Sequence, residues 1–235
     1  MTKPVMTASH AVADIPDGAS IMIGGFGGAG APVELVHALL DQGARHLTVI
    51  NNNAGTGQVG LAALIRDRRV DKIICSYPRT SDSRVFTEAY MSGKVELELV
   101  PQGTLIERIR AGGAGIPGFF TPTSVGTPLA KGKQTQTIDG RDCVLETWLK
   151  ADYALVKADR ADPFGNLTYR LSARNFGPNM CMAAACTIVQ VRTVVDAGAI
   201  NPEHVVTPGV YVDRICEIPD PKQEEELVRA QVVYP

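Results

Sequence analysis

Neither sign of charge dominates this chain. Its 23 Lys and Arg nearly cancel 25 Asp and Glu, leaving a formal net charge of −2, so nothing electrostatic points to nucleic acid or an anionic membrane as partner. Cysteine is sparse. Cys75, Cys143, Cys181, Cys186 and Cys216 are an odd number with no CxxC pair, which argues against a disulfide framework and a structural zinc site. The four histidines, His10, His37, His46 and His204, have no Ser, Cys or ligand companions at a meaningful spacing, so neither a triad nor a bound metal is expected. A membrane span is also lacking. The longest uncharged run, Ala111–Ala130, carries five Gly and three Pro, a density no membrane helix tolerates. The N-terminus lacks the basic-then-apolar layout of a signal peptide. These absences exclude disorder, coiled coil and membrane classes and lead us to expect a cytoplasmic protein.

What is present is the composition of a globular chain, 45% hydrophobic and 20% charged. At 235 residues it is read as a single domain spanning 1–235, with a possible flexible tail over 219–235 whose acidic run Glu224–Glu226 reads as solvated. Short apolar runs at Ile21–Ile23, Leu47–Ile50, Val70–Cys75 and Val95–Val100 have the look of strands covered on both faces. Helical patterns separate them at Pro32–Leu40, Val59–Arg68, Asp82–Met91 and Thr104–Arg110, with Pro32 placed in the first turn and Gly43 after the last. Alternation of this kind predicts a parallel sheet with helices packed on it. After residue 111 the texture changes. A Gly/Pro/Thr loop over 112–128 precedes two antiparallel strands at Gln134–Ile138 and Cys143–Glu146, joined by an Asp139-Gly140 turn. Further strands are expected at Tyr153–Lys157, Thr187–Thr193 and Val210–Ile215, with a helical piece near Met180–Ala185. The fold class is α/β, mostly parallel with flanking helices plus an antiparallel portion.

The sharpest local signal is the glycine loop Gly24, Gly25, Phe26, Gly27, Gly28, Ala29 and Gly30, between the first strand and the helix at Pro32. Gly25, Gly27 and Gly30 satisfy the dinucleotide fingerprint G-x-G-x-x-G. That fingerprint requires an acidic residue about twenty positions on to hold the ribose. Asn51, Asn52 and Asn53 stand there instead, which weighs against a nicotinamide cofactor. Two readings stay open: a loop whose backbone N–H groups meet an anionic ligand, or a turn that only packs helix against strand. A phosphometabolite-binding protein on a related α/β fold fits the first.

Six blocks, in order, settle on one resemblance. Asp17–Phe26 with Gly30-Ala31-Pro32, Asn52–Gly55, Pro101–Thr104, Phe120–Thr123, Gly165–Tyr169 and Ala173–Phe176 resemble the family I CoA-transferases over residues 10 to about 215. The chain is most similar to the A subunits of two-chain 3-oxoacid CoA-transferases, and its Asn51–Leu64 and Cys75–Arg79 blocks look nearest the 3-oxoadipate enzymes of aromatic catabolism, with acetoacetate as runner-up acceptor.

The resemblance implies ping-pong transfer of CoA from succinyl-CoA to a 3-oxo acid through a glutamyl intermediate. Coenzyme A is then a substrate and covalent intermediate, and no permanently bound cofactor is implied. The family's glutamate lies in a Ser-Glu-Asn-Gly motif on the B half, and this chain has no such motif. A partner B chain, in an assembly of two A and two B chains, is therefore implied, and the chain alone should be inactive. The resemblance places the Gln102 amide near the reacting carbonyl, assigns Gly24–Gly30 to CoA, and gives Asn52 and Asn53 to substrate or pantetheine. On the residues alone, Gln102 reads equally as a turn residue after Pro101, and the asparagines as loop caps. Arg79 is a candidate for the distal carboxylate of a dicarboxylic acid, against a plain surface arginine. Arg174 is a less favoured candidate that reads better as a buttress. Glu96 and Glu98 read as the wet face of a half-exposed strand, His37 as a partly buried packing residue, and Met180, Cys181 and Met182 as core.

Overall fold

The computed structural model describes residues 2–229. Its strands are β1 Ser20–Ile23, β2 Leu47–Ile50, β3 Val70–Cys75, β4 Glu96–Leu99, β5 Gly118–Thr121, β6 Thr135–Ile138, β7 Arg141–Thr147, β8 Ala151–Lys157, β9 Arg160–Ala161, β10 Leu167–Thr168, β11 Ala184–Val191, β12 Thr193–Val194 and β13 Arg214–Glu217. The helices are α1 Ala8–Ala11, α2 Val33–Gln42, α3 Leu61–Arg66, α4 Arg84–Met91, α5 Gln102–Ala114, α6 Gly177–Ala183 and α7 Lys222–Arg229.

Seven strands form one sheet in the order β13-β11-β8-β1-β2-β3-β4, parallel at every pairing. Alternate residues of the central strands enter two different cores, which is why those strands are largely apolar. Ile21, Ile23, Leu47, Val49, Ile73, Leu155 and Ile188 pack under α1–α4 with Leu35, Leu39, Leu64 and Phe86. Met22, Ile50, Ile74, Ala154, Val156 and Val189 face the other way, against Leu105 and Ile109 of α5 and Met180 and Cys181 of α6. A one-residue slip in any strand would exchange the two sets. Pro32 stands one place earlier than expected, at the N-cap of α2, and Gly43 follows its end in the left-handed conformation.

Three expectations are corrected. The stretch 112–128 is not one loop. Helix α5 continues through Gly112 and Gly113 because α6 and the chain before β8 come too close for side chains: a Cβ on Gly112 would lie 2.3 Å from the Leu149 carbonyl oxygen, and one on Gly113 2.6 Å from Met182 Cβ. Beyond it, β5 pairs antiparallel with β7, which pairs with β6; Asp139 and Gly140 both take positive φ (49° and 73°) in the connecting turn, as a tight hairpin requires. Second, Val210–Ile215 is strand only from Arg214. Gly209–Tyr211 forms a 3-10 turn, and Asp213 turns its carboxylate to the Thr187 N–H at 2.7 Å. Third, the acidic segment is not simply solvated: α7 is held where Glu34 accepts from the Gln223 N–H at 2.6 Å and Glu224 pairs with Lys157. Residues 230–235 of the expected tail lie outside the described residues.

At the sheet edge, Glu96 and Glu98 face the same way, as expected, and both accept from Lys72 at 3.0 Å. Glu98 also takes Arg108 of α5 at 3.0 Å, so it ties the helix to the edge strand. Burial tends to raise its carboxyl, but the hydrogen bonds from Arg108 and Lys72 outweigh that and hold it below the usual carboxylate range. A depressed folded-state value means that the stabilisation is present above the ordinary Glu range and fades as the pH falls through the lowered value. Glu98→Gln is expected to cost about 1 kcal/mol at pH 7 after allowing for the solvent around the pair. Denaturant titrations at pH 7 and pH 3 check this, and an equal cost at both would remove the ionic explanation.

Candidate functional site

The chain order places a crevice at the carboxyl ends of the strands. From β1 the chain proceeds through β2, β3 and β4 on one side, and β8, β11 and β13 lie on the other. Loops leaving β1 and β8 therefore diverge, which is where open parallel sheets take ligands. The segment after β1 is the glycine loop. The segments after β2 and β3 are 51–60 and 76–83, and β4 runs almost directly into α5.

The glycine loop is a compact turn clamped from behind. Phe26 and Ala29 exchange backbone hydrogen bonds at 3.0 and 3.2 Å, leaving Gly27 and Gly28 at the tip. The Asn175 side chain donates to the Ala29 carbonyl at 2.9 Å. Gly30 lies so close to Ala173 that a Cβ would meet its carbonyl oxygen at 2.3 Å. Thus the Ala173–Phe176 block holds the loop, but through Ala173 and Asn175. Arg174 is exposed and makes no hydrogen bond or ion pair among the described residues.

The three asparagines are buried, at 4 to 6% exposure, and each has a distinct task. Asn51 Nδ2 donates to the Ile23 carbonyl at 2.6 Å while its Oδ1 accepts from the Asn53 N–H at 2.8 Å, locking the loop after β2 to the end of β1. Asn53 Oδ1 accepts from the Gly55 N–H at 2.8 Å, and its Nδ2 reaches the Gly27 carbonyl at 3.5 Å. Asn52 Oδ1 accepts from Ser76 Oγ and from Gln102 Nε2, both at 2.7 Å. Gln102 is the first residue of α5 and is exposed. With one amide hydrogen held by Asn52, its second remains available.

The structure therefore brings the glycine loop, Asn52, Asn53 and Gln102 into one hydrogen-bonded crevice. Arg79 follows β3 on the same edge, exposed and without a hydrogen bond or ion pair among the described residues, and it is not tied into that network. Sequence reasoning does not mark Asn51, Ser76 or Asn175 as site residues. Asn51 carries a signal, as one of three amides ending a strand, while Ser76 and Asn175 are marked only by lying within the Cys75–Arg79 and Ala173–Phe176 blocks, which do not say what their side chains bond. A shallow open cleft lies beside the crevice, with Val33, Val36, Val59 and Leu61 among its walls and Asn51 and Asn53 at its polar side.

The network holds amides, a hydroxyl and N–H groups, and no carboxylate takes part in it. Cys75, directly below it on β3, is no nucleophile: burial pushes its thiol up to about 12, so the thiolate is negligible at neutral pH. Among the described residues no group of three or more His, Cys, Asp or Glu could hold a metal ion, and no helix is long and apolar enough to cross a membrane. The arrangement defines an open α/β protein with an amide-lined crevice at its switch point, able to orient an anionic or carbonyl group.

Comparison with known proteins narrows that class. The profile of the coenzyme A transferase family matches residues 5–217, and the chain belongs to this family. It is 55% identical to the A subunit of 3-oxoadipate CoA-transferase from Pseudomonas putida, over 93% of this chain and 94% of that one. It is 47% identical to the alpha subunit of acetate CoA-transferase from Escherichia coli (strain K12), over 92% and 97%. Among solved structures it superposes on glutaconate coenzyme A-transferase from Acidaminococcus fermentans with a TM-score of 0.80 and 23% identity, covering 91% of this chain and 75% of that one. It also superposes on an acyl-CoA transferase from E. coli O157:H7, with a TM-score of 0.81 and 23% identity, covering 94% of this chain. This chain spans about half the length of the latter, 48%.

Proposed function

We propose that the chain is the A subunit of a two-chain CoA-transferase that moves CoA from succinyl-CoA to a 3-oxo acid, 3-oxoadipate first among them. The observation that carries the reading is a crevice whose hydrogen-bonded network consists of neutral amides, a hydroxyl and backbone groups, in a chain 55% identical to the A subunit of a 3-oxoadipate CoA-transferase. A ping-pong transfer needs a carboxylate to attack the thioester carbonyl and expel the CoA thiolate. The thiolate then takes the carboxylate's carbonyl, releasing succinate and leaving an enzyme thioester, and the 3-oxo acid reverses both steps. The attacking carboxylate belongs to a partner B chain that closes the crevice, in a complex of two A and two B chains in the cytoplasm.

This chain's residues supply position and charge stabilisation. Gly24–Gly30 lies against the CoA ester. The Gln102 amide donates to the oxygen that becomes negative in each tetrahedral intermediate, and Asn52, itself fixed by Ser76, sets the direction of that amide. Asn53 holds the tip of the glycine loop beside the pantetheine arm. The 235 residues act as one unit.

Arg79, free on the same edge, reads the distal carboxylate of succinate and 3-oxoadipate. Arg79→Ala is expected to raise KM about tenfold for both dicarboxylates and to leave KM for acetoacetate in place. Steady-state kinetics with the three acids check it, and unchanged KM for the dicarboxylates would end the assignment.

Transfer from succinyl-CoA to 3-oxoadipate, and separately to acetoacetate, tests the whole reading with the chain alone and with a co-expressed B chain. Activity only in the pair, with 3-oxoadipate preferred, is expected. Preference for acetoacetate would move the assignment to a succinyl-CoA:acetoacetate transferase. Turnover by the chain alone would place a nucleophile here. A stable pair without turnover would favour a ligand-binding protein.

A further inference from the structure

The turn that clamps the glycine loop carries a side chain the clamp does not need. Leu171–Arg174 is a single 3-10 turn, and Ala173 and Asn175 hold it against the loop at Gly30 and Ala29. Its first residue, Leu171, takes φ +51. That left-handed region is strained for a branched L-residue and is ordinarily filled by Gly, Asn or Asp. The other non-glycine residues found there among those described are His46, Arg68, Ser124 and Asp139, so Leu171 is the apolar exception. Burial does not offset the strain, because Leu171 is 80% exposed. An apolar side chain held outward at a conformational cost calls for a contact that this chain does not make by itself.

Charge is a second and independent observation. Arg170 and Arg174 flank Leu171 in sequence, both exposed, and neither side chain has a hydrogen bond or ion pair among the described residues. The glycine loop, residues 51–60 and residues 170–176 contain no Asp or Glu, so these guanidinium groups belong to a rim without a carboxylate of its own. Phe26, on the loop that the turn holds, is 50% exposed. Apolar and aromatic anchors edged by arginine match the make-up of a protein–protein contact. The complementary half would offer carboxylates to the arginines and an apolar surface to Leu171 and Phe26. The crevice decides which chain that is. No carboxylate takes part in its network, so the attacking carboxylate proposed above must cross this rim to reach Gln102, and the chain that carries it covers the turn.

We propose that Leu171, with Arg170, Arg174 and Phe26, is the docking ledge for the partner B chain, whose matching face is apolar at its centre and acidic at its edge. The inference rests on the two-chain CoA-transferase reading and adds to it the surface that holds the second chain over the crevice.

Titration of the A chain with the B chain, followed by sedimentation velocity and by CoA transfer, tests it. Leu171→Asn suits the left-handed backbone, so the Tm of the A chain alone should hold or rise. The ledge predicts a dissociation constant for the B chain raised about tenfold or more, with turnover of the saturated pair within about twofold of wild type. Arg170→Gln combined with Arg174→Gln removes the charge and keeps hydrogen-bonding side chains. Its binding should be weaker by about tenfold at low salt, and the gap from wild type should narrow as salt screens the charges. A dissociation constant unchanged in either variant would overturn the ledge. So would intact assembly with a higher KM for the CoA ester, which would assign the arginines to the ester's phosphates. Weaker self-association of the A chain with its affinity for the B chain unchanged would overturn it as well, in favour of a second A chain. If the wild-type chains assembled and the variants weakened the complex, yet no CoA moved, the docking surface would stand and the transferase reading would fall.

Discussion

Replacing Gly30 with alanine is expected to lower Tm by on the order of 10 °C. The backbone there has φ +76, a left-handed conformation that costs an L-residue about 1–2 kcal/mol. The added Cβ would also sit 2.3 Å from the Ala173 carbonyl oxygen and 3.0 Å from Asn175 Nδ2. Both belong to the clamp, and neither is the loose end of a side chain that swings away. Forcing them apart adds roughly 1–3 kcal/mol, and in a chain of this size each kcal/mol moves Tm by about 2–4 °C. Gly27 gives the comparison, since it has a similar φ of +60 but nothing within 4 Å of its Cβ. Gly27→Ala should therefore show the conformational part alone, roughly 2–8 °C. Thermal unfolding of the two variants separates close packing from backbone preference, and equal shifts would mean that the clamp has no role. Activity should follow the same order, because the loop moves with its clamp.

Why such a clamp is not readable from the sequence follows from the distance along the chain. The first three strands can be placed because their apolar residues alternate between two buried faces, the fourth by its half-exposed alternation at the sheet edge, and each is separated from the next by a helix of its own. That information is local. The later strands β8, β11 and β13 carry the same apolar signal, yet their membership of the parallel sheet depends on pairing across more than a hundred residues, as where Ile21 lies beside Tyr153. Glycine misleads in one place for a physical reason. Gly112 and Gly113 look like a loop signal, whereas here they are the thin side of a helix against Leu149 and Met182. Asp139-Gly140 is informative because both residues need positive φ in the same tight turn, a requirement contained in two positions.

The site divides along the same line. The glycine loop, the asparagine run and Gln102 can be marked from their blocks, and the strand ends put them on one edge. Which atom meets which cannot. The Asn52 side chain is as much an orienting device as a ligand: its Oδ1 accepts from Ser76 and from Gln102, the latter fifty residues away in sequence. Asn51 is wholly turned inward, onto Ile23 and Asn53. The amides where a dinucleotide site would need a carboxylate thus have a structural reason: Asn51 and Asn53 each donate and accept at once, knitting neighbouring loops in a way that an acceptor-only carboxylate could not.

The largest kinetic effect is expected at Gln102. It is exposed, its one side-chain bond runs to Asn52, and alanine is well tolerated in a helix, so Gln102→Ala should change Tm by only a degree or two, for a loss of about 0.5 kcal/mol. If its amide meets the oxyanion, the same change should lower kcat about 10²- to 10³-fold. KM for the CoA ester should move little, since the interaction strengthens only as charge develops. Gln102→Glu sharpens the test. The shape is kept, but at neutral pH a carboxylate stands where negative charge must form, so the rate should fall at least as far as in the alanine variant. Part of the loss should return as the pH is lowered toward the carboxylate range and the new side chain gains a proton to donate. Stability measurements and pH profiles on the two variants separate the roles. A residue that only begins a helix would leave kcat within about twofold in Gln102→Ala and give no acid recovery in Gln102→Glu. A donor aimed at the reacting carbonyl requires both effects, because neither follows from the hydrogen bond to Asn52 alone.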